Sequence, residues 1–98
     1  MQREKIISRL KTIRPSLEAE GVMHLAIFGS RARGDAQETS DLDILLDVKP
    51  DHKFSILDLV GIEKFAQHAT GLEVNAFMRR SLDHDFVKSI HGDIVEVF

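Results

Sequence analysis

The run from Met23 to Phe28 (MHLAIF) is almost wholly apolar, with Leu25, Ile27 and Phe28 among its members. That pattern belongs to a strand covered on both faces, and it predicts a central strand with other elements packed against it. A second apolar run, Leu42 to Val48, divides by period two. Leu42, Ile44, Leu46 and Val48 share one face, while Asp41, Asp43, Leu45 and Asp47 share the other. One face packs, and the other begins with two carboxylates.

The remaining segments read as scaffold. Ile6, Ile7, Leu10 and Ile13 recur at helical spacing and predict an amphipathic helix from Arg3 to Ile13. Pro15 then fits the first turn of a short second helix, Pro15 to Glu20, closed by Gly21. Lys49 to Lys53 is a turn. Beyond it Ile56, Leu57, Leu59, Val60, Ile62, Phe65, Ala66 and Ala69 repeat with helical period, so a core helix runs from Phe54 or Ser55 to His68 and ends at Gly71. Gly61 inside it costs about 1 kcal/mol relative to Ala, and close packing would explain its presence. Leu72 to Met78 is a third strand. Ser81 opens a last helix to about His91, and Ile94 to Phe98 (IVEVF) forms a short final strand, either an edge that closes the sheet or one free to pair with another chain. The order helix, strand, turn, strand, helix, strand, helix, strand calls for an α/β (α+β) fold: a small mixed sheet flanked by helices. With 98 residues and 43% hydrophobic content, residues 1–98 form one domain around one core.

Composition narrows the partners. The 13 Lys and Arg against 16 Asp and Glu leave a net charge of -3, which gives no reason to expect duplex DNA or an anionic membrane as the main partner. The absence of cysteine excludes disulfides and thiolate metal sites and fits a reducing compartment. No apolar run approaches the ~18 residues of a membrane span, and MQREKII is charged where a signal peptide needs an apolar core. A cytoplasmic protein is expected. The five histidines lack paired metal-ligand spacing, so none is assigned to a metal.

The stretch between the first two strands carries the chemistry. Gly29-Ser30 directly after a buried strand lets the backbone turn so that amides opening a short helix point outward, an arrangement that cradles phosphate oxygens. The Ser30 hydroxyl adds a donor. Arg31 and Arg33 lie beside the turn and could neutralise phosphates through forked contacts, or else form a solvated basic face. Asp41 and Asp43 fall on one strand face with alpha carbons roughly 6 to 7 Å apart. Paired acids at that separation can share divalent ions, and Mg2+ binds through one or two carboxylates plus substrate phosphates. Each feature alone is commonplace: most Gly-Ser pairs are ordinary turns, and most such acid pairs are polar edges.

Their conjunction is not. Gly29-Ser30, a ten-residue spacer and Asp41-Leu42-Asp43, within FGSRARGDAQETSDLDILLD, resemble the signature of the nucleotidyltransferase superfamily shared with DNA polymerase beta. The brevity of the chain and its ARG segment make it similar to the minimal nucleotidyltransferases of prokaryotes. The resemblance covers nearly the whole chain. It implies a polymerase-beta-like fold, a nucleoside triphosphate such as ATP held by Gly29 and Ser30 with Arg31 and Arg33, and Mg2+ held by Asp41 and Asp43.

In that family a third carboxylate on the strand after the core helix completes the catalytic set. Here Asn75 stands at the matching position. An amide is a weaker, neutral ligand and cannot accept a proton, and general-base help is worth roughly 10^2 to 10^4 in rate. Glu73 shares the face of Asn75 but lies roughly 6 to 7 Å back along the strand, more than one extra methylene spans. Asp47 reads as solvated. Family members of this size resemble antitoxin halves of two-gene systems, whose partner is a small helical HEPN-domain ribonuclease and whose reaction transfers AMP from ATP to a tyrosine of that partner. The resemblance therefore implies protein adenylylation with Asp41, Asp43 and Asn75 at the catalytic centre. The alternative is a catalytically weakened nucleotide-binding module that neutralises or regulates a HEPN partner by contact. Transfer to a small-molecule hydroxyl is disfavoured by size, since a homo-oligomer or a partner would have to supply the acceptor pocket.

Overall fold

The computed structural model describes residues 1–98 and contains four strands, β1 (Val22–Phe28), β2 (Leu42–Val48), β3 (Val74–Met78) and β4 (Val95–Glu96). They form one mixed sheet in the order β3-β2-β1-β4. The two apolar runs thus take the central places. β1 pairs antiparallel with both β2 and β4, and β2 pairs parallel with β3. The helices are α1 (Arg3–Thr12), α2 (Arg14–Ala19), α3 (Ser30–Arg33), α4 (Ile56–Thr70) and α5 (His84–Ile90).

The period-two split of β2 sets the two layers. Leu42, Ile44 and Leu46 join Leu25 and Ile27 of β1 on one face, packed under Ile6 and Leu10 of α1, Leu17 of α2, and Ile62 and Ala66 of α4. Every one of those ten side chains is fully buried, and their removal from water is the main force holding the domain together. The other face carries a smaller cluster of Ala26, Phe28, Leu45 and Ile90, with Phe77, Leu82 and Ile94 at its margin. With seven residues, α5 covers only part of that face. Leu25 to Phe28 are therefore buried on both sides as expected, whereas Met23 and His24 at the start of β1 are exposed.

Local chemistry places the helix ends. Ser55 and Asp58 form a capping box at the start of α4, and Gly71, at φ 74°, closes it with its amide donating to Gln67 O at 2.7 Å. The last helix starts later than the sequence suggests. Arg79–Ser81 form a 3-10 turn and Leu82 is extended, so Asp83, not Ser81, caps α5 by accepting from the Asp85 amide. The final segment is an edge: beyond the two residues of β4, Val97 and Phe98 still exchange backbone hydrogen bonds with Leu25.

The greatest departure from expectation lies in α4. Of its eight apolar residues at helical spacing, only Ile62 and Ala66 are buried, while Ile56 and Leu57 are 77% and 80% exposed and Val60 and Phe65 are also exposed. The helix is apolar on more of its circumference than the sheet can cover. Nor does Gly61 mark close packing inside the domain, since a Cβ there would meet nothing within 4 Å. Ile44→Ala is expected to lower the unfolding free energy by about 2 to 5 kcal/mol, as for a large-to-small change at a fully buried site. Leu57→Ala in dilute solution should stay within about 0.5 kcal/mol, and urea denaturation of both variants distinguishes positions covered within the chain from those it leaves uncovered.

Candidate active site

The β1–β2 register sets Phe28 opposite Asp43, so the chain leaves β1 where the second carboxylate stands. Gly29 makes the exit possible. Its φ of 76° and ψ of -159° lie in a region essentially reserved for glycine, and a Cβ there would come within 2.7 Å of Asp43 Oδ2. The Gly29 carbonyl then accepts from the Ala32 and Arg33 amides at 3.1 and 3.0 Å. That leaves the Ser30 and Arg31 amides at the open end of α3, where a helix has no internal acceptors to offer. Gly34, at φ 90°, ends this single turn of helix.

The two arginines are engaged within the fold. Arg31 is only 4% exposed. Its Nη2 donates to Ser40 O at 2.8 Å and Glu38 O at 3.1 Å, and its Nε donates to Ser40 O at 3.2 Å. These donors hold the loop immediately before Asp41, a positioning role that the sequence did not suggest. Arg33 is exposed and paired with Asp35 at 3.1 Å and Asp93 at 2.9 Å, and these hydrogen bonds raise its pKa further. Arg3, which no sequence pattern singles out, reaches across from α1 to donate to Ala32 O at 2.9 Å.

The parallel pairing of β2 with β3 sets Asn75 beside Asp43. Its Nδ2 donates to Asp41 Oδ2 at 3.1 Å and to Asp43 Oδ1 at 3.3 Å. One amide thus bridges both carboxylates, with the nitrogen facing two acceptors as their charge requires. Asp43 has its pKa raised, first by burial, which disfavours the charged form, and further by the charge of Asp41; the Asn75 hydrogen bond opposes this. No group of three His, Cys, Asp or Glu side chains converges to hold a metal, so Glu73 does not join the pair. Its carbonyl instead accepts from the Leu42 amide at 2.8 Å.

Asp47, expected to be solvated, is half-buried and accepts from Arg79 Nε at 3.0 Å, while Arg79 Nη2 lies 3.5 Å from Glu96. The correction follows from the end of β3, where Arg79 turns back over the sheet face that carries Asp47. Phe28, Phe77 and Phe86 form an aromatic cluster on the same face, with ring centroids 5.5 to 6.1 Å apart. Asp41, Asp43 and the Gly29 turn therefore lie side by side, flanked by Asn75 and bordered by aromatic rings. Two adjacent carboxylates, with Asn75 Nδ2 donating to both, offer oxygen ligands of the kind a hard divalent cation takes together with substrate phosphates.

The site is thus a glycine turn that opens a short helix beside a strand-borne carboxylate pair. A family model, the nucleotidyltransferase domain, matches residues 4–96, and the chain belongs to that family. The protein adenylyltransferase MntA of Thermococcus cleftensis is 35% identical over 80 residues, covering 82% of this chain and 79% of the relative. A solved chain provisionally described as a minimal nucleotidyltransferase superposes with a TM-score of 0.79 at 24% identity, covering 97% of this chain and 95% of that one. A re-refined structure of a tri-AMPylated Shewanella oneidensis HEPN toxin in complex with MNT antitoxin gives a TM-score of 0.69 at 14% identity, covering 100% of this chain and 72% of that one. The fold is that of the minimal nucleotidyltransferases.

Gly29→Ala is expected to destabilise the domain by about 1 to 3 kcal/mol through backbone strain alone, with further loss from the displaced Asp43 carboxylate; urea unfolding measures both. Asp43→Asn should act in the opposite direction. Because the folded pKa of Asp43 lies above the ordinary 3.8, the stability it contributes is fully present below that value and is lost as pH rises through the folded value. Asparagine cannot ionise, so the variant is expected to have the higher thermal midpoint at neutral pH, with the difference shrinking on acidification.

Proposed function

We propose that the protein transfers AMP from ATP to a hydroxyl of a partner protein. The observation that carries the reading is the Asp41–Asp43 pair beside the Gly29 turn. The open amides of Ser30 and Arg31, with the Ser30 hydroxyl, hold phosphate oxygens of the nucleotide, and Asp41 and Asp43 hold Mg2+. When bound, the cation offsets the charge of the triphosphate and orients it for in-line displacement. The acceptor oxygen forms a bond to the alpha phosphorus, the bond from that phosphorus to the bridging oxygen breaks, pyrophosphate leaves, and the hydroxyl proton passes to water. Asn75 orients the two carboxylates through Nδ2 but takes no proton.

The acceptor comes from another chain. This sequence contains no tyrosine, so a tyrosine acceptor of the kind the family resemblance implies cannot be its own. A small helical HEPN-domain protein is the partner favoured by the likeness to the toxin–antitoxin fold, and the cytoplasm is where ATP, Mg2+ and such a partner meet. No helix is long and apolar enough to cross a membrane.

A second reading has its own observation. With a neutral amide bridging the carboxylates, the protein binds nucleotide and cation but transfers slowly, and it restrains its partner by contact. One experiment separates the two. Purified protein is incubated with labelled ATP, Mg2+ and the product of its neighbouring gene. Transfer by the wild type that disappears in Asp43→Ala is the expected result. A wild type without detectable transfer, together with an Asn75→Asp variant faster by about 10^2 or more, supports the contact reading. Label from neither protein would sink the transferase proposal.

A further inference from the structure

The uncovered side of α4 is the largest exposed apolar feature of the chain. Four of its seven exposed large hydrophobic residues, Ile56, Leu57, Val60 and Phe65, lie on this helix. Gly61 sits among them, helical and with open space where a Cβ would be. Glycine in a helix interior costs about 1 kcal/mol relative to Ala, and nothing inside the domain requires it. A missing side chain on an apolar helix face lets a second backbone approach closely. This side belongs to the sheet layer opposite Asp41 and Asp43, so it is separate from the candidate active site.

The pattern around Gly61 is symmetric. Leu57 and Phe65 stand four residues before and after it, and Asp58 and Lys64 stand three before and after. When two copies of α4 cross antiparallel about a two-fold axis at Gly61, a residue some number of places before the glycine comes level with the residue the same number after it on the other helix. Leu57 then meets Phe65 of the other copy, and Asp58 comes level with its Lys64, within reach of the long lysine side chain. Phe54 likewise comes level with His68, and Leu59 with Glu63, so no like charges are set together. A parallel crossing would instead stack Asp58 on Asp58 and Lys64 on Lys64. Asp58 uses Oδ2 for its capping bonds to Ser55, leaving Oδ1 for a partner. Those capping bonds also hold its pKa below the usual carboxylate range, in the charged form.

We infer that α4 is the interface of a homodimer in which two copies of this chain pack antiparallel at Gly61. A second copy is singled out over an unrelated helix because both halves of the match, apolar and charged, are present in one sequence. The inference is independent of nucleotide transfer, since it involves no residue of the active site.

Sedimentation velocity across the micromolar range tests it, with interference optics because the chain contains no Trp or Tyr. The wild type is expected to pass from monomer to dimer as concentration rises. Gly61→Leu inserts a side chain at the crossing point while replacing glycine with a better helix former. It should hold or raise the thermal midpoint, keep the helical circular dichroism, and weaken dimerisation tenfold or more. Lys64→Glu sets an acid level with Asp58 and should weaken it in the same direction with the fold intact. A wild type that stays monomeric throughout overturns the inference. So does a dimer unchanged by both substitutions, which would place the interface on another surface, or a dimer strengthened by Gly61→Leu, which would mean that added apolar area rather than close approach governs association.

Discussion

The contact between Gly29 and Asp43 is the constraint on which the site depends. Antiparallel pairing brings Phe28 level with Asp43, and the next residue must turn away within 2.7 Å of the carboxylate, measured to where its Cβ would be. Only glycine satisfies both the positive φ and the close approach. The Gly29 turn and the carboxylate pair are consequently one mechanical unit. Any shift in the strand register would separate them, and the fully buried Leu25, Ile27, Ile44 and Leu46 fix that register by keeping their faces inward. The main core therefore also determines the distance between the Gly29 turn and the Asp41–Asp43 pair.

Charge in the site is held in partial balance. Burial and Asp41 both raise the energy of ionised Asp43, and a single amide offsets part of it. Ionised Asp43 is therefore a local cost to the fold, offset by packing elsewhere. Asn75 makes the arrangement milder than three acids would be, since a neutral amide donates to both carboxylates where a third acid would add like charge.

Much of this was legible in the chain itself. The strands at Met23–Phe28 and Leu42–Val48, the ending of α4 at Gly71, and the placement of Gly29, Asp41 and Asp43 follow from period, turn chemistry and spacing, and the family resemblance singles out Asn75. What escaped depends on three-dimensional reach. Nothing local shows that Arg31 will bend back to the carbonyls of Glu38 and Ser40, or that Arg79 will cover Asp47, because a long side chain chooses its partner only after the sheet exists. The exposure of Ile56 and Leu57 was hidden for a different reason. Helical periodicity reports that a face is apolar and is silent about whether the same chain supplies its cover. The ten residues between Ser30 and Asp41 say only how far the loop can extend, and not that a buried guanidinium will hold it.

One contact of α4 bears on how the molecule keeps its own shape. β3 lies at an edge of the sheet, and its outward Ala76 amide is met at 2.8 Å by Glu63 Oε2 from α4. The opposite edge is only two residues long and is crossed by Arg79 reaching Glu96. A carboxylate corks one rim and an ion pair guards the other, so the sheet resists recruiting a fifth strand from a neighbour. In a small domain with a short final strand, such contacts at the rims of the sheet are how natural proteins keep edges from pairing with one another.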